Sequence, residues 1–249
     1  MKTHALAIGC LCAALSPLVL AADAPAETSS VNPAVIARLA RMGEHLRSLN
    51  TYEVKAELSR DVVLESGQKI KTLGTSTIIV DNKKRLFASL ESDSQNRKYY
   101  YDGAKLTQYS PTLKYYTTVD VPDTIPAMIH KVEEHYGLQM PLEDLFKFGT
   151  EDDATDKLTV AAFVGPSTVN GQTCQHFAFR QEGVDWQLWM SDAKTPLPCK
   201  LVITTTDDPS HPEYSATYTW NMSPQVQASD FVFTPAQGDT NIPFQKTAE

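Results

Sequence analysis

Most of the chain alternates between apolar and polar residues with a period of two, which is typical of half-buried β-strands. The clearest run starts at Thr51, where Tyr52, Val54 and Ala56 share one face and charged residues occupy the other. Comparable runs follow almost to the end of the chain. They lie at Lys69–Val80, Arg85–Leu90, Lys98–Tyr101, Leu106–Ser110, Lys114–Val119, Leu158–Val164, Gln172–Gln181, Val184–Met190, Leu197–Thr206, Ala216–Met222 and Asp230–Phe233.

Arg60 interrupts the first run because its position falls on the apolar face. A charged side chain there needs a partner or an opening to water. Two interpretations fit equally well. Arg60 lies at the mouth of a cavity, or the register of the strand slips at a bulge.

Two segments follow the helical period instead. Asn32 is placed to cap a helix with Pro33 in its first turn, and Val35, Leu39 and Met42 begin an apolar stripe along it. A second helical segment, Val121–Gly149, interrupts the strands and predicts two short helices with an apolar face. The insert either packs on the sheet as ordinary core or covers an apolar pocket as a lid.

About a dozen antiparallel strands with one N-terminal helix and one inserted helix pair predict an α+β fold. We expect a single strongly curved sheet, an unclosed β-barrel, with aromatic residues on its concave face. No linker rich in glycine and proline divides the chain after its N-terminal region, so residues 33–249 are interpreted as one domain.

The N-terminus has the pattern of an export signal. Residues 1–22 combine Lys2, an apolar stretch and small residues at a cleavage position, and residues 23–32 form a leader expected to be disordered. A lipoprotein anchor at Cys10 is disfavoured because the apolar run before it is too short for a signal. The sequence thus predicts a periplasmic protein.

The charge of the chain bears on its binding partners, and its cysteines bear on its cross-links. The net charge of −8, without clustered basic residues, argues against nucleic acid as a partner. Removal of the signal leaves Cys174 and Cys199, which we expect to form a disulfide in an exported domain.

Several motifs resemble the fold family of the LolA lipoprotein carrier, which includes the regulator RseB and mycobacterial lipid-binding lipoproteins. The segment from Gly74 to Phe87 resembles the second hairpin of that family, and Tyr101–Leu106 with Tyr109-Ser110-Pro111 resembles its Asp-Gly-Lys segment. Asp230–Pro235 resembles the closing strand. The chain is most similar to a family of predicted periplasmic proteins with this architecture.

The resemblance implies a carrier that holds a lipid, an acyl chain or a lipoprotein tail in a concave apolar cavity. An RseB-like sensor that contacts an envelope protein is the alternative, and a cavity filled by its own side chains is a third possibility. Carriers of this type use an arginine near the cavity, for which Arg60 and Arg85 are the candidates. The apolar candidates for the lining are Phe87, Met128, Ile129, Val132, Leu145, Phe146, Phe177, Trp186 and Trp220.

No pattern of catalytic residues stands out. His130 and His135 lie five residues apart, about 140° around a helix, and so do not share a metal as HExxH histidines do. No nucleophile elbow, phosphate loop or dinucleotide motif is present in the sequence. We therefore predict a monomeric binding protein that is not an enzyme and needs no metal or cofactor.

Overall fold

The computed structural model describes residues 31–150 and 155–245, and their strands form one twelve-stranded sheet. The strand order is β12-β6-β5-β4-β3-β2-β1-β11-β10-β9-β8-β7, and neighbours pair antiparallel except β12 with β6. The sheet is curved and unclosed, as predicted. The strands are β1 Tyr52–Val63, β2 Lys69–Asp81, β3 Arg85–Ser92, β4 Asn96–Tyr101, β5 Lys105–Ser110, β6 Tyr115–Asp120, β7 Val160–Val169, β8 Gln172–Gln181, β9 Val184–Ser191, β10 Pro198–Thr205, β11 Glu213–Asn221 and β12 Thr240–Asn241.

The register of the longest hairpin decides the question of Arg60. β1 and β2 pair without a shift from Tyr52 opposite Val80 to Val63 opposite Lys69, so β1 contains no bulge against β2. Strict alternation then places Arg60 on the same face as the buried Val54 and Ala56. This face is the concave one.

The N-terminal helix α1 spans Pro33–Ser48 and begins as predicted. The Asn32 side chain accepts a hydrogen bond from the Ala34 amide at 2.9 Å. The end of the predicted leader is ordered, because Val31 bridges to β7 and the Asn32 amide donates to the Ala161 carbonyl at 3.0 Å. The predicted signal at 1–22, and the leader before Val31, lie outside the described residues.

The inserted segment forms α2, Ile125–Tyr136, and the single-turn α3, Asp144–Lys147. Gly137 ends α2 with φ 60°, the left-handed conformation that glycine adopts without strain. The buried face of α2 joins the same core as the stripe of α1. The shared core residues of the two helices are Val35, Leu39, Met42, Leu46, Ile125, Met128, Ile129 and Val132.

The helix α1 approaches the chain after α3 very closely at Gly43. A β-carbon at this buried glycine would lie 2.7 Å from the Phe148 carbonyl oxygen and 2.8 Å from its carbonyl carbon. Arg47 donates to the same carbonyl oxygen at 2.7 Å. The end of the inserted segment is therefore held against α1 by direct backbone proximity.

Gly43→Ala is expected to lower the free energy of unfolding by roughly 1–3 kcal/mol, because the new methyl group overpacks a backbone contact. Helix propensity alone favours alanine over glycine by about 1 kcal/mol. A loss of stability would therefore show that overpacking against Phe148 outweighs the gain in helix propensity. Urea unfolding measures it, and Ala40→Gly at an exposed site of α1 calibrates the propensity effect. A stabilised Gly43→Ala variant would contradict the close packing.

The predicted closing strand at Asp230–Phe233 is wrong. Ala228–Phe231 forms a single 3₁₀ turn, because the Asp230 carboxylate accepts a hydrogen bond from the Gln227 amide at 2.8 Å and caps it. The sheet ends instead with the two-residue β12, which pairs parallel to β6.

The segment after this turn crosses the convex face of the sheet. The ring centroid of Phe233 lies 5.5 Å from Tyr100, 4.7 Å from Tyr109 and 5.0 Å from Tyr116. Phe231 beside it is fully buried. The tyrosines of β4 to β6 that face away from the core thus pack against the C-terminal segment.

Cys174 and Cys199 form the predicted disulfide, which joins β8 and β10 across β9. Two strand spacings amount to roughly 9.6 Å, too far for a disulfide. The bond is possible because Cys174 pairs with Ser191, the last residue of β9, and the register of β10 shifts between Pro198 and Lys200. The α-carbons of the two cysteines are 6.7 Å apart.

Candidate functional site

A cavity of about 920 Å³ occupies one end of the concave face. Its floor is the part of β1 from Leu58 to Val63 with the adjoining parts of β2, β3, β4, β10 and β11. The antiparallel register brings these parts together, since Arg60 pairs with Thr72 on one side and Tyr214 on the other. The opposite ends of β1 to β3 carry the buried core beneath the helices.

The roof of the cavity is the connection between α2 and α3, from Gly137 to Asp144. Leu138, Met140 and Leu142 of this connection are buried in the core, while its polar residues contribute to the lining. Apolar and charged side chains therefore share the cavity wall. Its side-chain floor includes Leu58, Leu90, Ile203, Tyr214, Arg60 and Arg97.

Exposed apolar residues continue the floor beyond the cavity. Val62 and Ile70 pair across β1 and β2 and are 43% and 44% exposed, and Leu64 follows on the same hairpin at 40%. Apolar side chains in such positions often mark a binding surface. The hairpin tip thus forms an apolar mouth, defined here as Val62, Leu64 and Ile70.

Asp61 is a buried acid at the edge of the cavity, and alternation from Arg60 turns its side chain to the other face of β1, where its charge is balanced. Its carboxylate lies 3.0 Å from the Lys71 amine and 3.5 Å from the Lys69 amine, and it accepts from the Glu213 amide at 3.1 Å. The hydrogen bond from Lys71 is the main reason why the pKa of Asp61 is lowered, against the opposing effect of burial.

Asp144 is the acid of the roof, and its environment differs. Burial raises the pKa of its carboxyl group, and the neighbouring Glu143 raises it further. Glu143 itself binds Lys147 at 2.9 Å and accepts from the Met140 amide at 3.1 Å. Asp144 thus favours the neutral form more than an ordinary aspartate does.

The structure places eight of the nine apolar candidates in or against the core rather than in the cavity wall. Met128, Ile129, Val132, Leu145 and Phe177 are buried, and Phe146, Trp186 and Trp220 pack partly buried against them. Trp186 stacks on Phe179 at 3.9 Å between centroids, and the Trp220 indole donates to the Pro198 carbonyl at 2.8 Å. In this conformation these residues fill the rest of the concave face, and Trp186 lies beside the cavity because it pairs with Ile203 of the cavity floor.

The prediction that Phe87 faces the cavity is wrong. Leu86 and Ala88 on either side of it are buried in the core, so alternation turns Phe87 to the convex face. There its ring lies 5.2 Å from that of Tyr100.

Of the two arginine candidates, only Arg60 lines the cavity. Arg85 is paired with Asp81 through its Nε atom at 3.0 Å, and its guanidinium lies 5.2 Å from the ring centre of Phe231. Arg85 is therefore bound where the C-terminal segment crosses the convex side, and the prediction of a cavity-mouth role for it is wrong.

Sequence reasoning missed the residues at the far ends of the strands. Leu90, Arg97 and Tyr214 lie at strand ends where the alternation begins or stops, and the roof has no periodicity of its own. The alternation does indicate that Arg97 faces inward, because it lies two and four positions before Tyr99 and Tyr101 on the same face of β4, and both tyrosines are almost fully buried.

Within the described residues, no helix is long and apolar enough to cross a membrane. The same part of the chain contains no group of three histidine, cysteine, aspartate or glutamate side chains placed to hold a metal ion. The cavity wall contains apolar, hydroxyl, amide, carboxylate and guanidinium groups.

Comparison with solved structures gives distant neighbours. LprF from Mycobacterium bovis is 11% identical with a TM-score of 0.49, covering 79% of this chain and 97% of that one. The lipoprotein LppX from Mycobacterium tuberculosis is 10% identical with a TM-score of 0.41, covering 79% and 100%. The MucA/MucB complex of Pseudomonas aeruginosa is 12% identical with a TM-score of 0.36, covering 77% of this chain and 59% of that one.

No curated protein sequence matches this chain significantly. A family model does match, over residues 36–245, and that range contains α1 from Ile36 onward, the whole sheet and the inserted helices. The family is described as a predicted periplasmic protein, which confirms the location inferred from the sequence. Since the match covers well over half of its length, the chain belongs to this periplasmic protein family, DUF2092.

Proposed function

We propose that this protein binds and carries a hydrophobic ligand, such as a lipid, an acyl chain or a lipoprotein tail, in the cavity. The observation that carries the proposal is a 920 Å³ cavity on the concave face that opens beside an apolar mouth. This volume lies near the upper end of the roughly 300–1,000 Å³ typical of small-molecule sites.

Burial of a hydrocarbon chain supplies enough free energy for such binding. Each buried methylene contributes about 0.8 kcal/mol. Ten methylenes therefore contribute roughly 8 kcal/mol, against an association cost of at least about 4 kcal/mol. A chain of this length extends naturally from the cavity along the apolar mouth.

The inserted segment supplies a movable cover in this proposal. The roof is tied to α2 through Lys147, which lies 2.9 Å from Glu143 and 3.3 Å from Glu133, so roof and helix are linked by ion pairs. For a larger ligand we propose that both move outward together. The eight core candidates would then line an enlarged cavity: Met128, Ile129, Val132, Leu145, Phe146, Phe177, Trp186 and Trp220.

Val62→Asp combined with Ile70→Asp is expected to weaken binding of an acyl chain by about tenfold or more, because a desolvated charge opposes the chain at the mouth. Both positions are more than 40% exposed, so little loss of stability is expected. Titration with a fluorescent fatty-acid analogue measures the affinity. Leu113→Asp, 64% exposed at the turn between β5 and β6, is the control.

Lipid extraction and native mass spectrometry of protein purified from a periplasmic fraction complete the test. A bound lipid, or micromolar binding of the analogue that the mouth variant loses, supports the proposal. Protein that carries no lipid and does not bind the analogue contradicts it.

A sensor or interaction module in the envelope is the second candidate, and the part of the edge strand β7 beyond Ala161, where Val31 pairs, favours it. Phe163 and Val164 of the edge strand β7 are 51% and 57% exposed. An exposed edge can pair with a strand of another protein. Pull-down from delipidated envelope extracts tests this, and Phe163→Lys should release a partner that binds there.

A further inference from the structure

Two arginines of the cavity wall have no carboxylate partner among the described residues. We infer that Arg60 and Arg97 form a positively charged subsite, and that the carried ligand is an amphiphile with an anionic phosphate or carboxylate group. This inference rests on the proposed function and specifies the chemical class of its ligand.

The other arginines in the described chain have assigned partners. Arg38 lies 3.7 Å from the Asp192 carboxylate, Arg85 binds Asp81, and Arg180 binds Asp185 at 2.7 Å. Arg41 and Arg47 donate to backbone carbonyl oxygens. The two arginines without such a bond are the two that line the cavity.

Both side chains belong to the concave face. Arg97 follows the parity of Tyr99 and Tyr101, which are 1% and 0% exposed. Arg60 follows the parity of Ala56 on β1 and pairs across the strands with Tyr214. Since β2 and β3 separate β1 from β4, the two arginines approach the cavity from different parts of its curved wall.

Each arginine lies beside a tyrosine of the same face. Arg60 pairs directly with Tyr214 across β1 and β11, and Arg97 lies two positions before Tyr99 on β4. Burial raises the pKa of each tyrosine hydroxyl; Asp144 adds to the shift of Tyr214, and the neighbouring arginines oppose both shifts. Neither tyrosine neutralises an arginine at neutral pH.

Four acids in or beside the cavity wall leave this positive charge largely uncompensated. Asp61 and Glu213 share Lys71, with Lys69 also bound to Asp61, and Glu143 is paired with Lys147. Asp144 is the remaining acid, and its raised pKa disfavours the charged form. Three acids therefore have lysine partners.

Guanidinium groups are well suited to phosphate and carboxylate groups because they donate several hydrogen bonds in one plane. Beside an apolar floor they would bind the charged end of an amphiphile while the chain is buried. The subsite is thus complementary to an anionic lipid or fatty acid, and not to a neutral or cationic one.

The test compares four amphiphiles that share one chain: hexadecanoate, hexadecyl phosphate, hexadecanol and hexadecyltrimethylammonium. Displacement of the neutral dye N-phenylnaphthylamine from the full mature protein reports their affinities. We expect the anionic ligands to bind roughly tenfold to a hundredfold more tightly than hexadecanol, the range expected for a charge-assisted hydrogen bond. The better of the two anions distinguishes a carboxylate from a phosphate ligand.

Arg60→Gln combined with Arg97→Gln should abolish this preference, measured as the ratio of the affinities for the anionic ligands to the affinity for hexadecanol in the same variant. Arg41→Gln combined with Lys194→Gln removes the same net charge at exposed sites away from the cavity and should keep the preference. Should the first variant fold poorly, Arg60→Gln alone replaces an exposed side chain and should reduce the preference in part.

Equal binding of anionic and neutral ligands, or preference for the cationic one, overturns the inference and leaves the proposed function intact. Loss of preference in the control variant also overturns it, since the effect would then be due to overall charge. Failure of all four ligands to displace the dye contradicts the proposed function itself.

Discussion

Replacing Cys174 and Cys199 with alanine is expected to lower the free energy of unfolding by about 3–4 kcal/mol. The bond closes a loop with a sequence separation of 25 residues. In the chain-entropy model, removing the bond restores conformational entropy to the unfolded chain, and for a loop of this length that entropy stabilises the unfolded state by roughly this amount. Both cysteines are also buried, so the loss of two sulfur atoms adds to the effect.

Reduced wild-type protein is the matched control for this double variant, because it keeps both sulfur atoms and loses only the bond. Urea unfolding of the oxidised, reduced and double-alanine proteins separates the contribution of the cross-link from that of packing. A change below about 1 kcal/mol in both the reduced and the mutated protein would show that the bond does not limit the unfolded chain.

The second large effect is expected at alkaline pH, because the core contains several tyrosines that ionise with difficulty when folded. Burial raises the pKa values of Tyr52, Tyr99 and Tyr218, and it raises that of Tyr101 to about 12, with nearby Asp123 and Asp102 adding to the shift. The hydroxyl of Tyr101 also donates to the Pro122 carbonyl at 2.7 Å.

The sign of the pH dependence follows from where the protons are held. In the unfolded chain these tyrosines lose their protons near their ordinary pKa of 10.0, while the folded protein retains them. Stability is therefore fully present below pH 10 and is lost as the pH rises toward the folded-state values. Each tyrosine that stays neutral removes about 1.4 kcal/mol per pH unit in that window.

Urea unfolding between pH 8 and pH 11 measures this slope, and tyrosinate absorbance shows whether ionisation coincides with unfolding. Tyr218→Phe is the matched variant, since it removes one buried hydroxyl group and keeps the aromatic ring. In this variant unfolding should release about one proton fewer above pH 10, so the free energy of unfolding should fall less steeply with pH. Its stability at pH 7 should change little. A stability that does not fall above pH 10 would contradict burial of these hydroxyl groups.

The candidate site could be predicted only in part, because its lining depends on how far each element extends. The apolar positions of α2 were recognised correctly as an inward face, but period alone does not show whether that face meets a sheet or a void. Met128 and Val132 are fully buried by side chains of the core. Arg60 was recognised because a charge in an apolar stripe is a strong local anomaly.

Periodicity in the sequence by itself determined the helices, most strands and the curved antiparallel sheet, because alternation records which face of each element is buried. Export, the family and the disulfide between Cys174 and Cys199 also follow from local patterns and composition. The pattern at Asp230–Phe233 predicts a strand where the structure has the turn Ala228–Phe231, since a capped turn and a short strand place apolar residues at similar spacing.

Only the tertiary structure decided where the cavity lies. The register brings Arg60, Tyr214 and Thr72 together at one end of the sheet, while α1 and α2 fill the other end. It also turned Phe87 to the convex face and placed Arg97 in the cavity wall. A cavity is a property of the gap between elements distant in sequence, and the period of a single strand carries no information on that gap.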